Sequence, residues 1–288
     1  MSTTEKGSTE NGSPDESSAR ADPAGAGAGI AARMVTAAGL PPLGLLGIAV
    51  SVLLGVLVWV VGLPGDGVFL GATMSDLTLP AGLLVMLGGI SIVGAASHPA
   101  RWRVVDAVVA AVLGVAGGFY FWGVGVSWAP VTGALTLVPP SVAILSGLWL
   151  LPGVLGALVV RKPGAALFTE LVGSVLEALL GDQFGFSSVY YGAVQGLGVE
   201  FVLALMLYRR FGPVPAMLAG AGAGVGIGLL DVVIGYPELP AITKVGYVVI
   251  AVLSGALIAG LGSWGLTRAL ASTGALAPLA SGRNAERV

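Results

Sequence analysis

The stretch RKPGAALFTELVGSVLEALLGDQFGFSSVYYGAVQGLGVE, residues Arg161–Glu200, decides the fold of this chain. It holds two apolar runs of helical length, which a short polar loop at 181–187 separates. Three carboxylates and one amide lie inside the apolar runs: Glu170, Glu177, Glu200 and Gln195. Because a carboxylate is costly in a helix that faces lipid, we expect these groups to face a protein interior or a ligand.

The composition predicts an all-α integral membrane protein. Of 288 residues, 56% are hydrophobic and only 10% are charged, whereas soluble domains carry about 25% charged residues. The chain has no cysteine and a single histidine, His98, so it lacks the parts for disulfides, histidine-based zinc sites and catalytic triads. It also lacks a GxxxxGK[ST] phosphate-binding motif. We predict a protein that is not an enzyme and uses no cofactor, metal or nucleic acid.

Apolar runs near the length of about 20 residues that crosses a bilayer occur eight times. They lie at about 41–63, 79–97, 104–125, 136–160, 164–181, 187–208, 214–235 and 244–270. The later six runs hold nearly all of the polar residues, so we treat them as the working part of the chain. We predict four regions: a disordered cytoplasmic tail at 1–32, an accessory pair of transmembrane helices at 33–100, a six-helix core at 101–272, and a flexible cytoplasmic tail at 273–288.

The basic residues predict the orientation in the membrane. With eight spans, all of the 13 Lys and Arg residues except Lys244 fall on one side. Basic residues mark the cytoplasmic side of short loops. We therefore predict a multi-pass plasma membrane protein with both termini in the cytoplasm.

The acidic residues of the core are the first candidates for function. Glu177, Gln195 and Asp231 lie near the outer ends of three spans, whereas Glu170 and Glu200 lie deeper. No Lys or Arg lies within these spans, so the interior carries excess negative charge that suits a cationic ligand. The alternative is structural: the acids are protonated, or they accept hydrogen bonds from neighbouring helices.

Aromatic residues cluster near the same predicted outer ends. Tyr and Trp favour the membrane interface in any protein, but such rings can also stack on a planar ligand or hold a cation. Trp149 lies in the middle of a span, where the interface preference does not explain it. With the acidic set, this predicts a substrate-binding pocket formed by Glu177, Gln195, Trp122, Trp149, Tyr190 and Asp231.

Small residues recur four apart in the first core span, at Ala110, Gly114 and Gly118. This spacing lets another helix approach closely. The partner helix could belong to the same chain or to another membrane subunit, and we predict a docking face for a coupling subunit.

Several segments resemble one known family. RVVDAVVAAVLGVAGGFYFW, RKPGAALFTELVGSVLEALLG, YYGAVQGLGVEFVLALMLYRRF and LIAG, in this order, are similar to the YkoE type of S component of energy-coupling-factor (ECF) transporters. The resemblance covers about 101–279 and implies a six-helix membrane core. It also implies capture of thiamine or its hydroxymethylpyrimidine precursor from outside, and work with a transmembrane coupling subunit and two cytoplasmic ATPase subunits.

We therefore predict the substrate-specific membrane subunit of an ECF importer, in which partners hydrolyse ATP. A second hypothesis is a self-sufficient secondary transporter of a small cationic metabolite, in which buried acids carry protons. A third is a structural or assembly membrane protein.

Overall fold

The computed structural model of the chain describes residues 68–69, 72–96, 101–133, 135 and 139–283. Two strands of two residues, β1 (Val68–Phe69) and β2 (Ala72–Thr73), pair antiparallel with Val68 opposite Thr73. The described helices that follow are α1 (Met74–Ala96), α2 (Val104–Gly133), α3 (Ser146–Val160), α4 (Ala165–Leu179), α5 (Ser187–Leu205), α6 (Pro213–Leu230), α7 (Ala241–Ser254), α8 (Gly262–Ser272) and α9 (Ala280–Arg283). A 3₁₀ segment, Pro139–Leu145, leads into α3, and two π-helical segments, Asp231–Gly235 and Gly255–Leu261, extend α6 and α7.

The structure confirms the all-helical membrane class. Among the described residues, five segments are long and apolar enough to cross a membrane: Val104–Gly133, Pro140–Val160, Ser187–Leu205, Pro213–Gly235 and Ala241–Ser272. Each corresponds to a run predicted from the sequence. The predicted run 164–181 forms the shorter α4, and 79–97 falls in and just after α1. The run 41–63 lies outside the described residues, so the total of eight spans stays a prediction.

Helix α3 lies at the centre of the bundle and contacts α2, α4, α5, α6 and α8. Most of its side chains are buried, because small residues let the neighbouring helices approach. A Cβ atom on Gly153 would lie 2.6 Å from Glu170 Oε1, and one on Gly156 would lie 2.7 Å from Thr169 Cβ. The glycines of α3 therefore make room for the polar side chains of α4.

The last span runs without a break from α7 through the second π segment into α8. Its middle packs directly on α6, where a side chain at Gly220 would collide with the backbone of Gly255 and lie 2.9 Å from Gly260 N. A π turn holds one extra residue and locally widens the helix. Here the wide turn is the part of the span that contacts α6.

Residues 273–283 pack on the bundle, which differs from the flexible tail that we predict at 273–288. Leu276 and Leu279 are 5% and 1% exposed and belong to a buried cluster with Ala110 and Val159. The hydroxyl of Ser281 donates a hydrogen bond to Val159 O at 2.7 Å. The two leucines bury apolar surface against α2 and α3, which a pattern of small and polar residues does not reveal.

The basic loops meet at one end of the bundle. Trp102 Nε1 donates to Pro163 O at 2.9 Å, and Arg103 donates to Pro278 O at 3.1 Å. The Arg161 guanidinium lies 5.3 Å from the centre of the Phe211 ring. These contacts join the loops before α2, after α3, after α5 and after α8, so the basic residues of these described loops share one end.

Candidate ligand-binding cavity

A cavity of about 370 Å³ lies at the opposite end of the core. It is formed by the C-terminal parts of α2, α4 and α6 and the N-terminal parts of α3, α5 and α7. Five of the six predicted pocket residues line it: Trp149, Glu177, Tyr190, Gln195 and Asp231. No residue of this lining is a Lys, Arg or His.

The predicted place of Trp122 in the pocket is wrong, because Trp122 is absent from the cavity lining and is 40% exposed. The preceding residue, Phe121, takes the place that we assign to Trp122. Phe121 is buried and packs on Trp149 with ring centres 5.7 Å apart. Successive residues of a helix differ by about 100° in direction, so an error of one position turns a side chain outward.

Glu177 brings a buried carboxylate to the cavity wall near the end of α4. Its side chain is 2% exposed, and its Oε1 atom has no hydrogen-bond partner among the described residues. Gly125 of α2 faces this atom at close range, since a Cβ on Gly125 would lie 3.6 Å from it. A buried carboxylate oxygen without a donor costs free energy, and a ligand that donates a hydrogen bond would recover it.

Asp231 presents the second acid from the other side of the cavity. It begins the π segment after α6, and the amide of Tyr236 donates to its carbonyl at 2.7 Å. Tyr247 donates its hydroxyl to Asp231 Oδ2 at 2.9 Å, and Tyr191 lines the same cavity. The bond from Tyr247 fixes the direction of the Asp231 side chain.

Aromatic rings form two walls. On one side, Trp149 lies 5.8 Å from Trp128 and 5.6 Å from Phe184, ring centre to ring centre. On the other side, Tyr190 pairs with Tyr191 at 5.4 Å, and Tyr236 pairs with Tyr247 at 5.4 Å. The cavity can therefore hold a flat ring between aromatic faces while a carboxylate approaches from each side.

Sequence reasoning missed part of the lining. Phe184 lies in the polar loop after α4, and Gln183 fixes that loop by donating from Nε2 to Gly125 O at 2.8 Å. The serines of the wall carried no distinguishing pattern: Ser146, Ser174, Ser187 and Ser188. The available signal for Phe184 was its position: it is an aromatic residue in a polar, glycine-containing loop next to Glu177.

The deeper acids join helices to one another. Glu170 Oε1 accepts from Gly153 N at 3.0 Å, while Oε2 has no partner among the described residues. Glu200 accepts from Gly164 N at 2.9 Å, from Ala166 N at 2.7 Å and from the Tyr208 hydroxyl at 2.6 Å. Glu200 therefore satisfies backbone amides at the start of α4 from a neighbouring helix, as an N-cap side chain would.

Replacing Tyr208 by Phe tests this cap. We expect the free energy of unfolding to fall by about 1 to 3 kcal/mol, because one buried carboxylate oxygen loses a donor. Thermal unfolding of the purified protein measures the loss. The matched Tyr120→Phe variant removes a tyrosine hydroxyl that is not among the donors to Glu200 and should be near neutral. Equal effects of the two substitutions would contradict the cap.

The small residues Ala110, Gly114 and Gly118 do not form a docking face, so the structure corrects that prediction. Ala110 is fully buried. A Cβ on Gly114 would lie 2.7 Å from Val172 Cβ, and one on Gly118 would lie 2.7 Å from Leu176 Cβ. Gly114 and Gly118 thus admit α4 of the same chain, which packs along α2.

Comparisons with known proteins agree with this architecture. A family profile described as "ABC-type cobalt transport system, permease component" matches residues 105–226. The "Putative HMP/thiamine permease protein YkoE" of Bacillus subtilis (strain 168) is 34% identical over 142 residues, which are 49% of this chain and 71% of that protein. The solved "Crystal structure of an S-component of ECF transporter" is 30% identical and superposes with a TM-score of 0.61, covering 65% of this chain and 94% of that one.

The helical membrane bundle and its similarity to the solved S component define an S component of an ECF-type transporter. The identity and coverage then fix the type: the chain belongs to the YkoE family of S components. It is a multi-pass membrane protein of the transport permease class.

Proposed function

We propose that this protein captures thiamine or its hydroxymethylpyrimidine precursor from outside the cell and passes it inward with energy from partner ATPases. The YkoE relative is named for these two compounds. The cavity supports the proposal independently, because its two aromatic walls and two acids match a flat ligand that carries positive charge and an amine.

The chemistry of thiamine suits the lining. Its thiazolium ring is permanently positive, and its aminopyrimidine is planar with an exocyclic amine. The Glu177 carboxylate lines the cavity and can accept from that amine, while aromatic faces attract the thiazolium. The volume of about 370 Å³ lies within the range of small-molecule sites.

The Glu177 carboxylate on the wall of a cavity whose lining holds no basic residue is the observation that carries the proposal. Isothermal titration of the purified chain in lipid nanodiscs tests it, with thiamine and hydroxymethylpyrimidine as ligands. The matched control ligand is the thiamine analogue in which an oxo group replaces the exocyclic amine. We expect it to bind more weakly, and equal binding of thiamine and this analogue would argue against the amine contact.

Replacing Trp149 by Ala is expected to raise the Kd for thiamine by about tenfold, because the ligand loses a stacking face. Trp122→Ala is the matched control, since Trp122 lies outside the cavity lining. Titration of both variants in nanodiscs measures the difference. A larger effect at Trp122 would place the pocket elsewhere.

The proposed partners are a transmembrane coupling subunit and two cytoplasmic ATPase subunits in the plasma membrane. Basic residues gather at the end of the bundle opposite the cavity, which supports a cytoplasmic location of that end and an outward cavity. Coexpression with these three partner subunits, followed by uptake of labelled thiamine in vesicles, tests this, with an ATPase-inactive partner as control.

One observation favours the alternative of a proton-coupled secondary transporter: Glu170 Oε2 is buried without a partner among the described residues. Glu200 fits that role less well, because its carboxylate accepts three hydrogen bonds. Reconstitution of the chain alone with a proton gradient separates the two functions. Gradient-driven accumulation without partners would support the secondary transporter.

A further inference from the structure

Helix α1 packs against the back of the cavity wall. It contacts α5 and α6, and Leu83 and Leu87 share a buried cluster with Val194, Leu197 and Leu230. Gly88 lies on the same face, where a Cβ would come within 3.9 Å of Leu197 Cδ1.

This cluster reaches the cavity through two residues. Tyr191 and Ile234 both pack against the cluster and line the cavity. Leu230, which is fully buried in the cluster, directly precedes Asp231 in the chain. The α1 leucines therefore share one packed cluster with two residues of the cavity lining.

The cavity wall next to α1 contains an irregular helical segment. Asp231–Gly235 is a π segment, and irregular helical turns are less stable than α-helix and need support from packing. Tyr191, which packs against the same cluster as Ile234, also lines the cavity. The opposite wall, with Glu177 on α4, is packed between α2, α3 and α5 and makes no comparable use of α1.

We propose that α1 is a positioning element that holds the Tyr191–Asp231 side of the cavity in its binding geometry. The family profile begins at residue 105, downstream of α1, so the helix is an addition to the matched region. The effect on ligand affinity rests on the proposed function, whereas the effect on the wall does not.

The test is the double variant Leu83→Ala/Leu87→Ala of the full chain in nanodiscs. Hydrogen–deuterium exchange of the amides at 231–236 reports on the wall without any ligand, and titration reports the Kd for thiamine. We expect faster exchange at 231–236 and a Kd about tenfold higher, since small displacements of contact groups weaken binding strongly.

Two matched pairs serve as controls. Val85→Ala/Ile92→Ala removes exposed side chains from the other face of α1. Leu276→Ala/Leu279→Ala removes two buried leucines from the cluster with Ala110 and Val159, at the basic end of the bundle. The second pair should lower the melting temperature but leave exchange at 231–236 and the Kd unchanged.

A cycle with Asp231→Asn distinguishes positioning from general destabilisation. If α1 acts through Asp231, the leucine substitutions add little to the Kd in the Asp231→Asn background. Full additivity, unchanged exchange at 231–236, or an equal loss of affinity in the Leu276/Leu279 pair would overturn the proposal.

Two further outcomes are decided by the same measurements. Should the double variant fail to fold, Leu83→Val and Leu87→Val replace it, with faster exchange at 231–236 still expected. If the wild-type chain does not bind thiamine, the proposal that thiamine is the ligand is wrong. The exchange rates at 231–236 then test by themselves whether α1 supports the wall.

Discussion

Replacing Glu177 by Gln is expected to raise the Kd for thiamine by about 10- to 100-fold, the range for losing a hydrogen bond to a charged group. Glu177 Oε1 is buried at the cavity wall and has no donor among the described residues. The amide keeps the size of the side chain but loses the negative charge and turns one acceptor into a donor. Isothermal titration in nanodiscs at constant pH measures the change.

Glu170→Gln is the matched control, because it makes the same chemical change on the same helix. Glu170 is fully buried but absent from the cavity lining, and Gln can still accept from Gly153 N. We expect its Kd to stay within about threefold of wild type, in the usual range for a neutral substitution. Equal losses in the two variants would show that the ligand lies deeper than the cavity near Glu177.

Replacing Gly114 by Leu is expected to prevent folding or to lower the free energy of unfolding by at least about 3 kcal/mol. Already a Cβ at this position would lie 2.7 Å from Val172 Cβ and 3.1 Å from Thr169 O. The remaining three carbons of Leu have no space, so α2 and α4 would have to separate. Because α4 carries Glu177, the separation should also abolish the cavity.

Gly123→Leu gives the comparison, since a Cβ on Gly123 of the same helix meets nothing within 4 Å. This variant should keep or slightly raise stability, because Leu favours helix over Gly by about 1 kcal/mol. The yield of monodisperse protein and its melting temperature measure both variants. If the Gly114→Leu variant instead kept the wild-type melting temperature and lost only its binding to a coupling subunit, that result would support the predicted docking face.

The sequence placed Glu177, Gln195, Asp231, Trp149 and Tyr190 in one pocket because two simple rules apply. Polar groups in apolar helices must face inward, and residues at similar depth in an antiparallel bundle meet. The wall position of Trp128 and the outward direction of Trp122 did not follow from these rules. Both lie near the end of α2, and only the rotation of that helix decides which of them faces the cavity.

The partner of a small-residue face likewise could not be read from the spacing. Gly114 and Gly118 indicate that another helix approaches closely, but any helix of suitable shape could pack there. The structure selects α4 of the same chain. In the same way, the buried cluster of Leu276 and Leu279 depends on where α2 and α3 end, which lies outside the local pattern.

By itself, the sequence determined the class of this protein: a helical membrane bundle with uncompensated acids inside and basic residues at one end. These features follow from the cost of charge in lipid, which acts on each residue separately. Only the tertiary structure decided which acids line the cavity, which aromatic rings face it and which helix packs on the glycines of α2. Those outcomes depend on the rotation and contact of helices far apart in the chain, and packing sets them collectively.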